Sequence, residues 1–272
     1  MKNWIWRYFL KFIYFKVKSY LSKIGIRIDV SRAPVIPKSM QGAKFDENYL
    51  RKIINIISQI TAIMPKNLIE VGANLGQDSA FLSYMWRITD DNVVAIEPIP
   101  SYAKRIKDKY KFRVIEAAIS EEQGRAWLNL QDSVSNNLGT ASLHSHPTND
   151  NSRIEVQTKR LDAILNEMHF ASLDFLKIDA EGHTFEVLKS LGERVTDVKI
   201  IQIETEYLPI WDSSVKQETI FKFLEKYHFV LVDYGMGEDG LQADLLWIRN
   251  DLIIRKVYDL STGEFRPYLG SK

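Results

Sequence analysis

Glu70, Gly72, Asn74 and Gly76 alternate along Asn67-Leu-Ile-Glu-Val-Gly-Ala-Asn-Leu-Gly76. A short apolar run carries an acid and breaks into a G-x-N-x-G turn, and a helical pattern opens at Gln77. That is how a strand joins a helix in an α/β sheet, with backbone N–H groups and a helix N-terminus facing a ligand at the strand's carboxyl end. The acidic shoulder favours a ligand with a cationic group over a bare phosphate, which directs the reading to S-adenosylmethionine. A dinucleotide fingerprint would need glycine where Asn74 stands, so a nicotinamide cofactor is disfavoured.

The next strand-like run closes on Glu97-Pro98. A carboxylate there can accept both ribose hydroxyls of a nucleoside. A second concentration of reactive groups is Lys177-Ile-Asp179-Ala-Glu181-Gly182-His183, at the end of another apolar strand. A hydroxyl is a poor nucleophile while protonated, and Asp179 and His183 are the groups able to take its proton. His183 could equally be a solvent-facing residue at a helix start. Asp179 needs a partner, because a carboxylate ending a buried strand is costly alone. Lys177 either pairs with a carboxylate or is solvated at the strand edge.

Asp179, Glu181 and Glu204 could collect a divalent cation through oxygen ligands, but carboxylates so placed also accept hydrogen bonds from a substrate, and a metal is not expected. His144-Ser-His146 resembles a metal pair without a third ligand; a substrate-covering loop is the plainer reading. Tyr207, Trp211 and Tyr234 follow strand patterns and could stack on a sugar, although core packing is the default for such rings.

These groups need a frame, and the chain alternates in the manner of one. Leu50, Ile53, Ile54, Ile57 and Ile60 recur at helical spacing after a capping Asp46. Strand patterns at Asn67–Val71, Val93–Glu97, Phe112–Ile119, Leu173–Ile178 and Lys199–Glu204 alternate with helical ones. Gly124–Leu130 and Ile154–Thr158 interrupt the alternation as extended segments flanking a polar insertion, 131–153. Phe229–Tyr234 and Leu245–Ile248 close it as a strand pair. The expected fold is a mostly parallel sheet covered by helices on both faces, with one antiparallel strand from the closing hairpin.

With 36 Lys and Arg against 35 Asp and Glu, no global field points to nucleic acid. The absence of cysteine excludes disulfides and thiolate metal sites. Residues 1–28 are aromatic and basic without an acid, too often charged to span a membrane. They suit either an interfacial helix on anionic lipid or a helix packed on the catalytic domain or on a dimer partner. Pro34, Pro37 and Gly42 mark a linker, so the chain divides into an amphipathic helix and linker over 1–42 and one domain over 43–272. No secretory leader is visible, and the expected location is the cytoplasm, peripheral on the inner membrane face if the first helix lies on lipid.

From about Leu68 to Arg249 the sequence resembles the FkbM family of S-adenosylmethionine-dependent methyltransferases. The resemblance rests on Glu70-Val-Gly-Ala-Asn-Leu-Gly76, Ala95-Ile-Glu-Pro98, Ala118-Ile-Ser with Gly124, and Lys159-Arg-Leu-Asp162. It continues through Leu176-Lys-Ile-Asp-Ala-Glu-Gly182, Ile203-Glu204 and Asp244-Leu-Leu-Trp247. It implies a Rossmann-like seven-stranded sheet of order 3-2-1-4-5-7-6, last strand antiparallel, and methylation of a hydroxyl on a glycan, lipid-linked sugar or small metabolite. It further implies that Glu70, Gly72, Asn74 and Gly76 surround the methionine part and that Glu97 holds the ribose. Glu116 to Ala118 should then lie near adenine. Glu70 replaces the family's usual aspartate. The competing reading is a non-catalytic nucleoside-binding module recruited by its N-terminal helix.

Overall fold

The computed structural model describes residues 46–130, 141–144, 152–207, 211, 215–236 and 241–254, and the backbone of 256–259 and 264–267. The expected N-terminal helix and linker, most of the 131–153 insertion including His146, and residues 237–240 of the last turn lie outside the described residues.

The first described helix, α1 (Glu47–Ile60), begins at Asp46, whose Oδ1 accepts from the Tyr49 N–H at 3.0 Å. Its buried Leu50, Ile53, Ile57 and Ile60 form the stripe read from the spacing. Strand β1 (Leu68–Val71) leads into α2 (Gln77–Trp86), and β2 (Val93–Ile96) into α3 (Pro100–Lys109). After β3 (Arg113–Ile115) come β4 (Ala118–Ile119), β5 (Gly124–Asn129) and β6 (Arg153–Lys159). Helix α4 (Leu161–Glu167) precedes β7 (Leu173–Ile178), and α5 (Thr184–Lys189) precedes β8 (Val198–Glu206). Helix α6 (Gln217–Lys226), β9 (Phe229–Met236) and β10 (Gln242–Arg249) follow, then a small hairpin of β11 (Lys256–Asp259) and β12 (Glu264–Pro267) that the sequence pattern did not announce.

The main sheet runs β3-β2-β1-β7-β8-β10-β9, which in order of appearance within that sheet is the expected 3-2-1-4-5-7-6. β10 pairs antiparallel with both neighbours. Strands β1 and β7 are buried along their whole length, as parallel strands covered on both faces must be. Alternate side chains feed two cores: Ile69, Val71, Leu176 and Ile178 point to one face, Leu68, Phe175 and Ile200 to the other.

The third strand differs from expectation. Phe112–Ile119 is not continuous: β3 stops at Ile115, whose carbonyl accepts from the Glu97 N–H at 3.0 Å. Glu116 turns out to solvent toward Lys107, and β4 then joins a different sheet, pairing Ala118 with Thr158. A charged side chain between two apolar ones breaks the run. β5 and β6, the two extended segments flanking the insertion, pair antiparallel and make a three-stranded sheet, β4-β6-β5, with its own small core of Ile99, Ala118, Leu128 and Val156.

Candidate active site

The sheet order reverses at β1, between β2 and β7, and a cleft of about 380 Å³ opens at the carboxyl ends of these strands. One wall is the turn after β1. The N–H groups of Gly72 and Ala73 donate to the Ile96 carbonyl at 2.9 and 3.0 Å, fastening the turn to β2. Gly72 has φ +79°, and a Cβ there would lie 1.8 Å from the Asp179 carbonyl oxygen. No other residue fits. Asn74 also takes a left-handed conformation, φ 51°, and Gly76 caps α2 at φ 71° while facing Ile106 of α3 and Tyr110 just beyond it instead of the cleft.

Beneath the turn, Lys177 is buried, and its Nζ stands 3.2 Å from Glu70 Oε1, from Asp78 Oδ2 and from Asp179 Oδ2. The sheet register makes this possible, since Glu70 and Lys177 are partners across β1 and β7. Burial alone would lower the Lys177 ammonium, but Asp179, Asp78 and Glu70 together outweigh it and hold the group well above its usual value. Of the two alternatives for Lys177, pairing is what the fold shows. Glu70 Oε2 also accepts from the Ser79 N–H at 2.9 Å and from the Ser79 hydroxyl, so α2 presents its N-terminus to this carboxylate.

Glu97 ends β2 with both oxygens aimed: Oε2 accepts from the Asn74 N–H at 2.7 Å and Oε1 from the Ile99 N–H at 2.9 Å. Burial pushes its carboxyl up to about 8, and burial likewise pushes Glu70 up to about 7. A carboxyl raised in this way binds its proton more tightly folded than unfolded. Its contribution is therefore full below the ordinary value of 4.5 and is lost as pH rises through about 8. The ligand-free wild type should accordingly lose roughly 2–4 kcal/mol relative to Glu97→Gln between pH 5 and 8.5. Parallel melting curves in that interval check this; a gap between the two proteins that stays constant with pH would contradict it.

On the far side of Asp179 the cleft is acidic. Gln242 Nε2 donates to Glu181 Oε2 at 3.2 Å and to Glu204 Oε1 at 2.7 Å, so an amide of β10 bridges these two carboxylates. Burial, then Asp179 and Glu181, pushes the Glu204 carboxyl well up; burial and Asp179 raise Asp244 to about 6. Asp179 itself keeps a part-exposed side chain, 39% accessible, at the cleft. Asp179, Glu181 and Glu204 do come together, as the sequence suggested.

His183 is buried, not solvent-facing. Its Nε2 lies 3.3 Å from Ser120 Oγ and its Nδ1 3.1 Å from His144 Nε2, so both ring nitrogens are engaged within the protein. Burial lowers it to about 4 and keeps the imidazole neutral. His144, expected to meet the substrate, thus contacts the cleft-lining His183 without lining the cleft itself, whereas Ser142 of the same segment lines it and donates to the Glu181 carbonyl.

Glu70, Gly72, Asn74, Glu97, Pro98, Ala118, Lys177, Asp179, Glu181, His183 and Glu204 all line one cleft. Glu116 does not: it is an exposed partner of Lys107, and Ala117 takes the wall position beside Ala118. The aromatic trio does not line the cleft. Trp211 is buried against Gly182, Tyr234 donates to Gln217 Oε1 at 3.3 Å, and Tyr207 is exposed. Sequence reasoning missed Asp78, Ser142, Glu186 and Gln242. Glu186 carried a local signal, three residues after His183 and on its helical face, whereas Gln242 and Ser142 reach the site only through long-range pairing.

The Methyltransferase FkbM domain matches residues 70–231 of this chain. Among curated proteins, the chain is similar to the 2-O-methyltransferase NoeI of Sinorhizobium fredii (strain NBRC 101917 / NGR234). The two are 22% identical over 215 residues, covering 72% of this chain and 86% of that one. Among solved structures it is similar to the methyltransferase FkbM of Methylobacillus flagellatus KT, with 13% identity and a TM-score of 0.47 over 68% of this chain. The match covers 44% of that structure's chain, less than half its length. It is also similar to the magnesium protoporphyrin IX methyltransferase ChlM of Synechocystis PCC 6803 with bound SAM. There the identity is 10% and the TM-score 0.45, over 78% of this chain and 88% of that one.

Proposed function

Because the chain belongs to the FkbM family of methyltransferases, we propose that it transfers a methyl group from S-adenosylmethionine to a hydroxyl of a glycan, lipid-linked sugar or small hydroxylated metabolite. The observation that carries the donor assignment is Glu97. Two backbone N–H groups use one lone pair on each of its oxygens and fix their direction. Once ionised, the group has about four acceptor positions, so two remain for a ribose diol, and binding of that diol favours release of the Glu97 proton. Ile99, Tyr102, Ala117, Ala118 and Leu128 form the more apolar wall suited to adenine. Glu70, Asp78 and Asp179 leave the neighbouring part of the cleft net negative despite Lys177, which suits a cationic donor.

Bound there, the donor supplies a sulfonium whose methyl group is lost in one in-line displacement. The protein's task is then to align and deprotonate the acceptor. The reading gives that proton to Asp179, the part-exposed carboxylate of the group. Glu181, Glu204 and Gln242 hold neighbouring hydroxyls. Lys177 is a positioning residue, and so is His183, whose nitrogens are already engaged. A relative described as a 2-O-methyltransferase supports a hydroxyl as the acceptor. The transferase unit is taken as 43–272, with 1–42 as an appended segment that meets a membrane surface or a second copy of the chain.

Titration calorimetry with S-adenosylhomocysteine tests the donor assignment. Glu97→Ala removes two hydrogen bonds to a charged group and should weaken binding about 100-fold or more. Folded wild type that binds no S-adenosylhomocysteine would sink the proposal.

A further inference from the structure

Three potential ligand atoms converge beside the cleft from two parts of the chain that are distant in sequence. His144 Nε2 comes from the inserted segment, His183 Nδ1 from the turn before α5, and Glu186 Oε2 from within α5. The two nitrogens are 3.1 Å apart, and the carboxylate oxygen is 3.7 Å from one and 4.0 Å from the other. Ligands at about 2.0–2.2 Å around a tetrahedral Zn²⁺ are separated from one another by roughly 3.3–3.6 Å. The triangle has that size.

A hydrogen bond between the two rings does not account for the arrangement. It would occupy the two nitrogens and leave Glu186 Oε2 as it stands, buried and without a hydrogen bond. At 3.7 and 4.0 Å from the two imidazoles, that oxygen would gain a direct partner from a cation at the centre of the triangle. The surroundings complete the pattern. His183 is 9% exposed, and Ser120 Oγ sits 3.3 Å from its other nitrogen, Nε2. A metal-ligating histidine is usually oriented by such a partner on its second nitrogen, which leaves Nδ1 as the donor to the ion.

We propose that His144, His183 and Glu186 form a binding site for a zinc-class transition-metal ion, which clamps the inserted segment to the start of α5 at the edge of the cleft. The ligand set, two imidazoles and one carboxylate with a fourth position left open, is a zinc type. It is distinct from the Asp179, Glu181 and Glu204 carboxylates, an all-oxygen set bridged by Gln242. Among the described residues, the same two parts of the chain are also linked by the Ser142 contact to the Glu181 carbonyl. The proposal does not depend on the methyl donor or the acceptor.

The test uses untagged full-length protein stripped with a chelator and titrated with Zn²⁺ and with Co²⁺. Wild type should bind one equivalent of Zn²⁺, and the Co²⁺ form should show the intense visible absorption of a tetrahedral centre. His144→Ala and Glu186→Gln should each weaken Zn²⁺ binding at least 100-fold, while Glu204→Gln leaves it unchanged. Circular dichroism reports whether each variant is folded, and the wild-type Co²⁺ spectrum stands whatever the variants do. Folded wild type that takes up no Zn²⁺ overturns the proposal. So does binding that survives His144→Ala and Glu186→Gln but is lost in Glu204→Gln, or a weak octahedral Co²⁺ spectrum.

Discussion

Replacing Lys177 with methionine should destabilise the protein by about 3–5 kcal/mol, the usual consequence of removing one partner from a buried ionic group. Lys177 is the single cation within 4.0 Å of Glu70, Asp78 and Asp179 among the described ion pairs. Methionine fills similar volume, so the loss is electrostatic and not a cavity effect. Three carboxylates would then face one another with no counter-charge, and Glu70 is 2% exposed. Acid offers them relief: Glu70 already holds its proton up to about pH 7, and losing Lys177, which lowers it, raises that value further. The deficit of the variant should therefore be smallest near pH 5 and largest near pH 8. Chemical unfolding at both pH values measures it. A deficit independent of pH, or greater in acid, would show that Lys177 acts through packing.

Gly72→Ala should have an effect of similar size by a different route. Its Cβ would fall 1.8 Å from the Asp179 carbonyl oxygen and 2.8 Å from the carbonyl carbon, both backbone atoms that no rotamer change can move. The φ of +79° adds strain for any side chain. Relief requires prising β1 from β7, where the Asp179 N–H donates to the Val71 carbonyl at 2.9 Å. A loss of at least about 4 kcal/mol is expected, and whatever fraction folds should fail to bind S-adenosylhomocysteine, because the two strand ends forced apart carry Glu70 and Asp179 respectively. Thermal melting and calorimetry read the two effects. Near wild-type stability together with normal binding would show that the two strand ends separate freely.

The contrast between these two positions shows what the sequence made legible. Gly72, Glu70 and Asn74 lie in one strand-and-turn unit, and local spacing was enough to bring them to one cleft. Glu97 followed because the next strand of a parallel sheet ends at the same edge. The triple pairing of Lys177 was out of reach. It depends on the residue-by-residue register of β1 against β7 and on Asp78 from the first turn of α2, a residue that looks like any helix-start acid. The break after Ile115 escaped notice because Ala117, Ala118 and Ile119 are as apolar as a continuing strand would be; only the outward Glu116 marked it. The burial of His183 is not legible locally, because its partners, Ser120 and His144, belong to segments that reach it through the inserted sheet.

That inserted sheet has a consequence for binding. β4 does two jobs: Ala118 walls the cleft on one side and pairs with Thr158 of the inserted sheet on the other. A molecule that immobilises Ala117 and Ala118 therefore also steadies the root of the segment that carries Ser142 and His144. Occupancy on either side of this strand changes the affinity of the other side by the same factor, because the coupling is a property of the shared backbone and is necessarily reciprocal. In equilibrium titrations a ligand at Ala117 and Ala118 and one held by the inserted segment should therefore behave as synergists, each lowering the dissociation constant of the other.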